Sequence, residues 1–224
     1  MNNKIETSIY LMPGMAASPK IFEFIKFPSN YKIIYLKWIK PNTNESIKSY
    51  AKRMSVFITD VDPVLIGVSF GGILVQEISK YVKVKKLIII SSVKSKVELS
   101  LSMKFAKKTG IHRFLPLNWI NDLEKLLLFV FGPSIKPRVD AYKKYLSERD
   151  PNYLKWSINQ IVNWKQIEYD KNIIHIHGEK DKVFPLKYLE RNKNLFIIKN
   201  GTHATILRDS KWFSKNLPLI INKS

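Results

Sequence analysis

Ser69 stands in Gly67-Val68-Ser69-Phe70-Gly71-Gly72, directly after the apolar run Pro63-Val64-Leu65-Ile66 and directly before Ile73-Leu74-Val75-Gln76-Glu77-Ile78. That setting predicts a strand-to-helix corner, where a side-chain hydroxyl is held out on strained backbone. Side chains two residues to either side would collide with such a turn, and Gly67 and Gly71 remove the clash. The chemistry on offer is nucleophilic attack. A serine hydroxyl is a weak nucleophile near neutral pH, so it needs a base within hydrogen-bond reach and a third group that fixes the base's tautomer. Two later apolar runs each deliver one polar residue just past their ends. Ile173-Ile174-His175-Ile176-His177 runs into Gly178-Glu179-Lys180-Asp181, and Leu195-Phe196-Ile197-Ile198 runs into Gly201-Thr202-His203. His203 has His112, His175 and His177 as its rivals, two of which precede Asp181 on its own strand. Asp181 has Glu179 and Asp170 nearby and could also serve as a helix cap or a surface charge.

The elements that must position these residues are visible as apolar runs separated by helical spacing. Ser8-Ile9-Tyr10-Leu11 reads as a strand, followed by the turn Pro13-Gly14 and a helix opening at Ser18-Pro19, a capping residue with proline in the first turn. Ile33-Ile34-Tyr35-Leu36 reads as a second strand, and Ile47, Tyr50, Ala51, Met54 and Ile58 predict a helix from about Glu45 to Thr59. After the Ser69 corner comes Leu87-Ile88-Ile89-Ile90-Ser91-Ser92. Six continuous apolar runs alternating with helices predict a mainly parallel sheet covered on both faces, an α/β class fold.

From Ser92 to about Asp170 the pattern changes to helices without strands. Leu123, Leu126, Leu127 and Val130 recur at helical spacing, and Pro116, Gly132-Pro133 and Pro137 break the stretch into short pieces. Trp119, Phe129, Phe131, Trp156 and Trp164 suit either core or an apolar pocket. The expected organisation is one α/β domain made of residues 1–93 and 171–224, with a helical insertion at 94–170 after the fourth predicted strand.

Four signatures taken together, Pro13-Gly14-Met15, Gly67 to Gly72, His177 to Pro185 and Gly201 to His203, resemble the α/β-hydrolase superfamily, and in particular its carboxylesterases and thioesterases. The resemblance covers nearly the whole chain outside the middle third. It implies the α/β-hydrolase fold, a triad in the chain order Ser69, Asp181, His203, and a helical cap at the insertion. It further implies an oxyanion hole built from the backbone N–H groups of Phe70 and Met15, although the family often carries His-Gly where this chain has Pro13-Gly14. The two antiparallel strands that usually open the fold have no room before Ser8, so a trimmed version is expected. The implied activity is cofactor-independent cleavage of a small apolar ester or thioester through an acyl-enzyme. The same triad also supports acyl transfer, carbon–carbon bond hydrolysis and lyase-like reactions, and a protein that keeps the triad only to bind a ligand is a further reading.

Composition narrows the partners. The net charge is +20, yet it divides as +7, +6 and +7 over residues 1–93, 94–170 and 171–224, and 32 of the 38 basic side chains are lysine. A base-reading surface favours arginine and a concentrated stripe, so no nucleic-acid partner is expected. No apolar run reaches the roughly 20 residues that span a bilayer, and Met1-Asn2-Asn3-Lys4 is not followed by a secretion-signal stretch, which predicts a cytoplasmic protein without stable membrane insertion. With no cysteine there is neither disulfide nor thiolate chemistry. His175, His177 and Asp181 form an incomplete metal set: a His-x-His-x-Asp-His site would need Asp at Glu179 and His at Lys180, so no metal is expected. No glycine-rich phosphate loop follows any strand.

Overall fold

The computed structural model describes residues 7–114 and 143–223. Six strands, β1 (Thr7–Met12), β2 (Tyr31–Tyr35), β3 (Val64–Val68), β4 (Lys86–Ile90), β5 (Ile174–Gly178) and β6 (Leu195–Ile198), form one sheet in the order β2-β1-β3-β4-β5-β6. Every pairing is parallel. All of β3 and nearly all of β1 and β4 are buried, because helices cover both faces; β2 and β6, at the edges, are only partly so.

The α-helices among the described residues are α1 (Ile47–Ser55), α2 (Phe70–Ile78), α3 (Leu101–Thr109), α4 (Pro151–Asn163), α5 (Thr205–Arg208) and α6 (Ser210–Asn222). Connectivity decides where a site can form. The chain leaves β1 for β2 on one side and returns to β3 on the other, so the loops after β1 and β3 diverge and leave a crevice at the carboxyl ends of the strands. Registers Met12 to Gly67, Val68 to Ile90 and Gly178 to Ile198 bring those ends to one edge of the sheet.

Two expected helices are shorter than their periodicity suggests. The chain after Ser18-Pro19 makes only a single 3-10 turn, Pro19–Phe22, and the Ser18 side chain caps nothing. Helix α1 begins at Ile47, not Glu45, because Ser46 is the cap: its Oγ accepts from Ser49 N at 3.1 Å. The Glu45 carboxylate is instead engaged by Arg53 and by Asn42 N. At the other end, α1 stops at Ser55, although Ile58 remains buried.

Between β4 and β5 the regular elements among the described residues are helices. Helix α4 is anchored by indole and amide donors. Trp164 Nε1 donates to Glu77 Oε1 on α2 at 2.8 Å, Trp156 Nε1 donates to Glu45 O at 2.7 Å, and Ile47 N donates to Gln160 Oε1 at 3.0 Å. Trp38, Tyr50, Phe70, Tyr153 and Trp156 pack ring against ring, with Trp38 stacked on Phe70 at 5.1 Å. Trp156 and Trp164 therefore belong to the packing of α4 against the elements beside it. The leucine stripe Leu123, Leu126, Leu127 and Val130, together with Pro116, Trp119, Phe129, Phe131, Gly132-Pro133 and Pro137, lies outside the described residues. Among the described residues no helix is long and apolar enough to cross a membrane.

Candidate active site

Ser69 links β3 directly to α2 with φ 53° and ψ −121°, a conformation that costs a non-glycine residue of order 1–3 kcal/mol. The surrounding backbone holds it there. Ser69 N donates to Ile90 O at 2.8 Å, and Ser69 O accepts from Gly72 N at 2.9 Å and from the Ser92 hydroxyl at 2.7 Å. The flanking glycines are required by close approach. A Cβ on Gly67 would lie 2.3 Å from Gly71 O, and one on Gly71 would lie 2.3 Å from Pro13 O.

Asp181 follows β5 in a tight turn and is buried. Its Oδ1 accepts from Val183 N at 2.8 Å and Phe184 N at 3.0 Å, which leaves Oδ2 to face His203. His203 follows β6, with Nδ1 2.8 Å from Asp181 Oδ2 and Nε2 2.9 Å from Ser69 Oγ. The Phe184 ring packs beside the imidazole, 5.7 Å between centroids. Burial pushes the Asp181 carboxyl up, but the charge and hydrogen bond of His203, with help from His177 and Phe184 N, outweigh it and hold the group below its ordinary range. An ionised carboxylate only accepts, so Nδ1 of His203 carries the proton. Nε2 is then the acceptor for the Ser69 hydroxyl.

The structure thus brings together Ser69, Asp181 and His203, the three residues singled out from the sequence. It also brings the loop after β1 against them: a Cβ on Gly14 would be 3.3 Å from Ser69 Cβ. Met15 is next along that loop, and Phe70 opens α2, whose first N–H groups have no intrahelical acceptor. The inserted stretch ties down this same loop. Ser18 N donates to Tyr145 O, Glu148 N donates to Ala16 O, and Ala16 N reaches the Tyr153 hydroxyl at 3.4 Å. The rival acids are elsewhere: Glu179 is exposed and accepts from Asn200 N, while Asp170 caps a turn through Asn172 N. Among the described residues no group of acidic and histidine side chains has the arrangement of a metal site.

Sequence reasoning passed over two contributors. Ser92 steadies the Ser69 carbonyl from the end of β4, and nothing in its local sequence distinguishes it. His175 and His177, by sequence an incomplete metal set, stand in line with Asp181: His177 Nε2 is 3.4 Å from its Oδ2 and His177 Nδ1 is 3.1 Å from His175 Nε2. Their signal was available in the alternation His-x-His, which puts two imidazoles on one face of the strand leading into the acid turn.

The sequence matches no family model and no curated protein. Solved structures match it along nearly its whole length. A lipase-esterase related protein from Clostridium acetobutylicum is 21% identical with a TM-score of 0.70, over 97% of this chain and 96% of that one. An esterase from Exiguobacterium antarcticum is 16% identical with a TM-score of 0.73, over 98% and 93%. A bromoperoxidase from Bacillus anthracis is 18% identical with a TM-score of 0.68, over 98% and 93%. The fold is that of the α/β hydrolases. At the carboxyl ends of its strands this chain places Ser69 after β3, Asp181 after β5 and His203 after β6, hydrogen-bonded in line.

Proposed function

We propose that the protein is a serine hydrolase that cleaves a carboxylic ester or thioester of a small apolar substrate. The observation that carries this reading is the continuous hydrogen-bonded line from Asp181 through His203 to Ser69, built on a serine whose backbone is strained. In the proposed reaction Ser69 Oγ attacks the carbonyl carbon while its proton passes to His203 Nε2. Collapse of the tetrahedral adduct expels the alcohol or thiol, which takes that proton, and leaves an acyl-Ser69 ester. A water molecule, deprotonated by the same nitrogen, releases the acid and restores the hydroxyl. Asp181 stays ionised throughout and stabilises the imidazolium. The amides of Met15 and Phe70 are assigned to the developing oxyanion, and the mechanism requires no metal or cofactor.

Two features support an apolar substrate. The Phe184 ring packs beside His203, and structures named as lipase-esterase related and esterase share the fold. Residues 94–170 are assigned as the cap, an assignment supported by the bonds that tie Tyr145, Glu148 and Tyr153 to the loop carrying Met15. Turnover of p-nitrophenyl esters and acyl thioesters of graded chain length tests the reading. The expected result is hydrolysis that falls by at least about a thousandfold in Ser69→Ala and in His203→Ala. Hydrolysis unchanged in Ser69→Ala would refute it.

A further inference from the structure

His175 and His177 leave β5 on the same face, and both are fully enclosed. His177 Nε2 lies 2.8 Å from Phe184 O and 3.4 Å from Asp181 Oδ2. A carbonyl and an ionised carboxylate can only accept, so His177 must be protonated at Nε2. Burial pushes the His177 imidazole down and outweighs the upward pull of Asp181, so the ring is neutral and its Nδ1 carries a lone pair. That lone pair faces His175 Nε2 at 3.1 Å, which must therefore be the donor. His175 Nδ1 is then an acceptor, and it makes no well-formed hydrogen bond among the described residues, although the Ser92 backbone stands near the ring. Burial, His177 and Lys94 disfavour a charge on His175 and outweigh the opposite pull of the Ser92 backbone, so it does not escape this position by taking a second proton. An unpaired buried acceptor costs of order 1–3 kcal/mol, and the fold retains it where an apolar residue would avoid the penalty.

We infer that His177 is a positioning residue for the acid turn: held in its Nε2–H tautomer by His175, it clamps Asp181 and Phe184 so that Oδ2 stays aimed at His203. The inference rests on the proposed hydrolase reading. The turn has two fixing points, and they act on different atoms. Backbone donors at Val183 and Phe184 hold Oδ1, whereas His177 holds the Phe184 carbonyl from below and stands beside Oδ2. Without the imidazole the carboxylate can swing about its Oδ1 contacts, and Phe184, which packs on His203, can drift with it. A displacement of about 1 Å in such a site is worth up to about a hundredfold in rate. A histidine that merely filled space would be replaceable by any residue of its size.

Rates of labelling by a fluorophosphonate, and kcat and KM on a p-nitrophenyl ester, separate the two roles in wild type, H177F, H177Q and H175F. Phenylalanine keeps the volume and loses the donor; glutamine presents an amide N–H near the Nε2 position. The expected result is H177F slowed about tenfold or more in kcat and in labelling, with KM within about twofold, and H177Q restored to within about threefold of wild type. Folded H177F labelling at the wild-type rate would overturn the inference. Should H177F not fold, H175F is read in its place, with slower labelling expected and an unchanged rate contradictory. Nitrogen-15 spectra of wild-type histidines, assigned through backbone connectivity, provide a check that needs no variant: His177 should show an Nε2–H neutral ring across about pH 7.5 to 9, and an Nδ1–H ring would overturn the inference. Failure of wild type to label at all would count against the hydrolase reading and leave the tautomer prediction standing on its own.

Discussion

The edge of the sheet that carries Ser69, Asp181 and His203 and the stretch between β4 and β5 are built by different means. At the sheet edge, contacts to backbone dominate: Gly71 lies against the Pro13 carbonyl, Ser69 O accepts from Gly72 N, Ile73 N and the Ser92 hydroxyl, and Asp181 Oδ1 from two amides. Between β4 and β5, side chains do much of the placing, beside the backbone bonds that join Tyr145 and Glu148 to the loop after β1. Helix α3 buries none of its residues fully and turns Leu101 and Phe105 to the outside, while α4 is fastened by two indole N–H groups and one glutamine. The difference teaches where tolerance to change should be sought. A backbone contact leaves no slack for an added atom, whereas an exposed side chain has little to lose.

The largest effect should come from Gly71→Ala. Its Cβ would sit 2.3 Å from one backbone oxygen and 2.7 Å from another, so the loop after β1 must move. We expect a loss of about 3 kcal/mol or more, read as a fall in Tm of roughly 6–12 °C, together with loss of labelling at Ser69. A fall under about 2 °C would show that the sheet edge has slack and would erase the contrast.

Trp164→Phe comes next. It keeps the packing of a residue that is 2% exposed but strips the Nε1–H from Glu77, whose other oxygen pairs with Lys80. The expected cost is about 1–3 kcal/mol by denaturant unfolding, with labelling at Ser69 little changed. Loss of labelling in folded Trp164→Phe would place the insertion inside the chemistry instead of beside it.

Acid should weaken the sheet edge selectively. His175 and His177 have folded-state pKa values below their unfolded value of 6.5, so they contribute stability that is present above that pH and is lost as pH falls below it. Each contributes up to about 1.4 kcal/mol per pH unit over its window, until its own folded-state pKa is reached. Asp181 adds a second loss below its unfolded value of 3.8. Unfolding midpoints measured from pH 7 to 5 should therefore drop more steeply for wild type than for H177Q; parallel profiles would show that His177 does not titrate on unfolding.

The smallest effect is expected at Leu101→Ser on α3, a side chain 65% exposed. Its Tm should stay within about 2 °C of wild type, in line with surface substitutions of under about 0.5 kcal/mol. A larger fall would mean that α3 carries packing the comparison denies it.

The same contrast explains what could be read from the residues. The Ser69 corner was legible because steric demand leaves a local trace, glycine at both flanks between an apolar run and a helical one. Asp181 and His203 were legible because each stands just past a continuous apolar strand. What escaped depends on contacts distant in sequence. Ser18-Pro19 has the composition of a helix start, but Ser18 N is tied to Tyr145 O and the chain makes one turn. Glu45 looked like the first turn of α1, yet Arg53 and Asn42 draw its carboxylate away. Trp156 and Trp164 could have been core or pocket, and their indole partners Glu45 O and Glu77 decide for packing. The roles of His175 and His177 follow only once Phe184 O and Asp181 are seen to be acceptors on the far side of the ring.

The central claim is that Ser69 is activated by His203. Intact mass after exposure to a fluorophosphonate, for wild type, Ser69→Ala and His203→Ala, tests it most directly. The account predicts a single adduct on wild type that is absent from both variants. No adduct on folded wild-type protein, or an adduct that persists in Ser69→Ala, would contradict it.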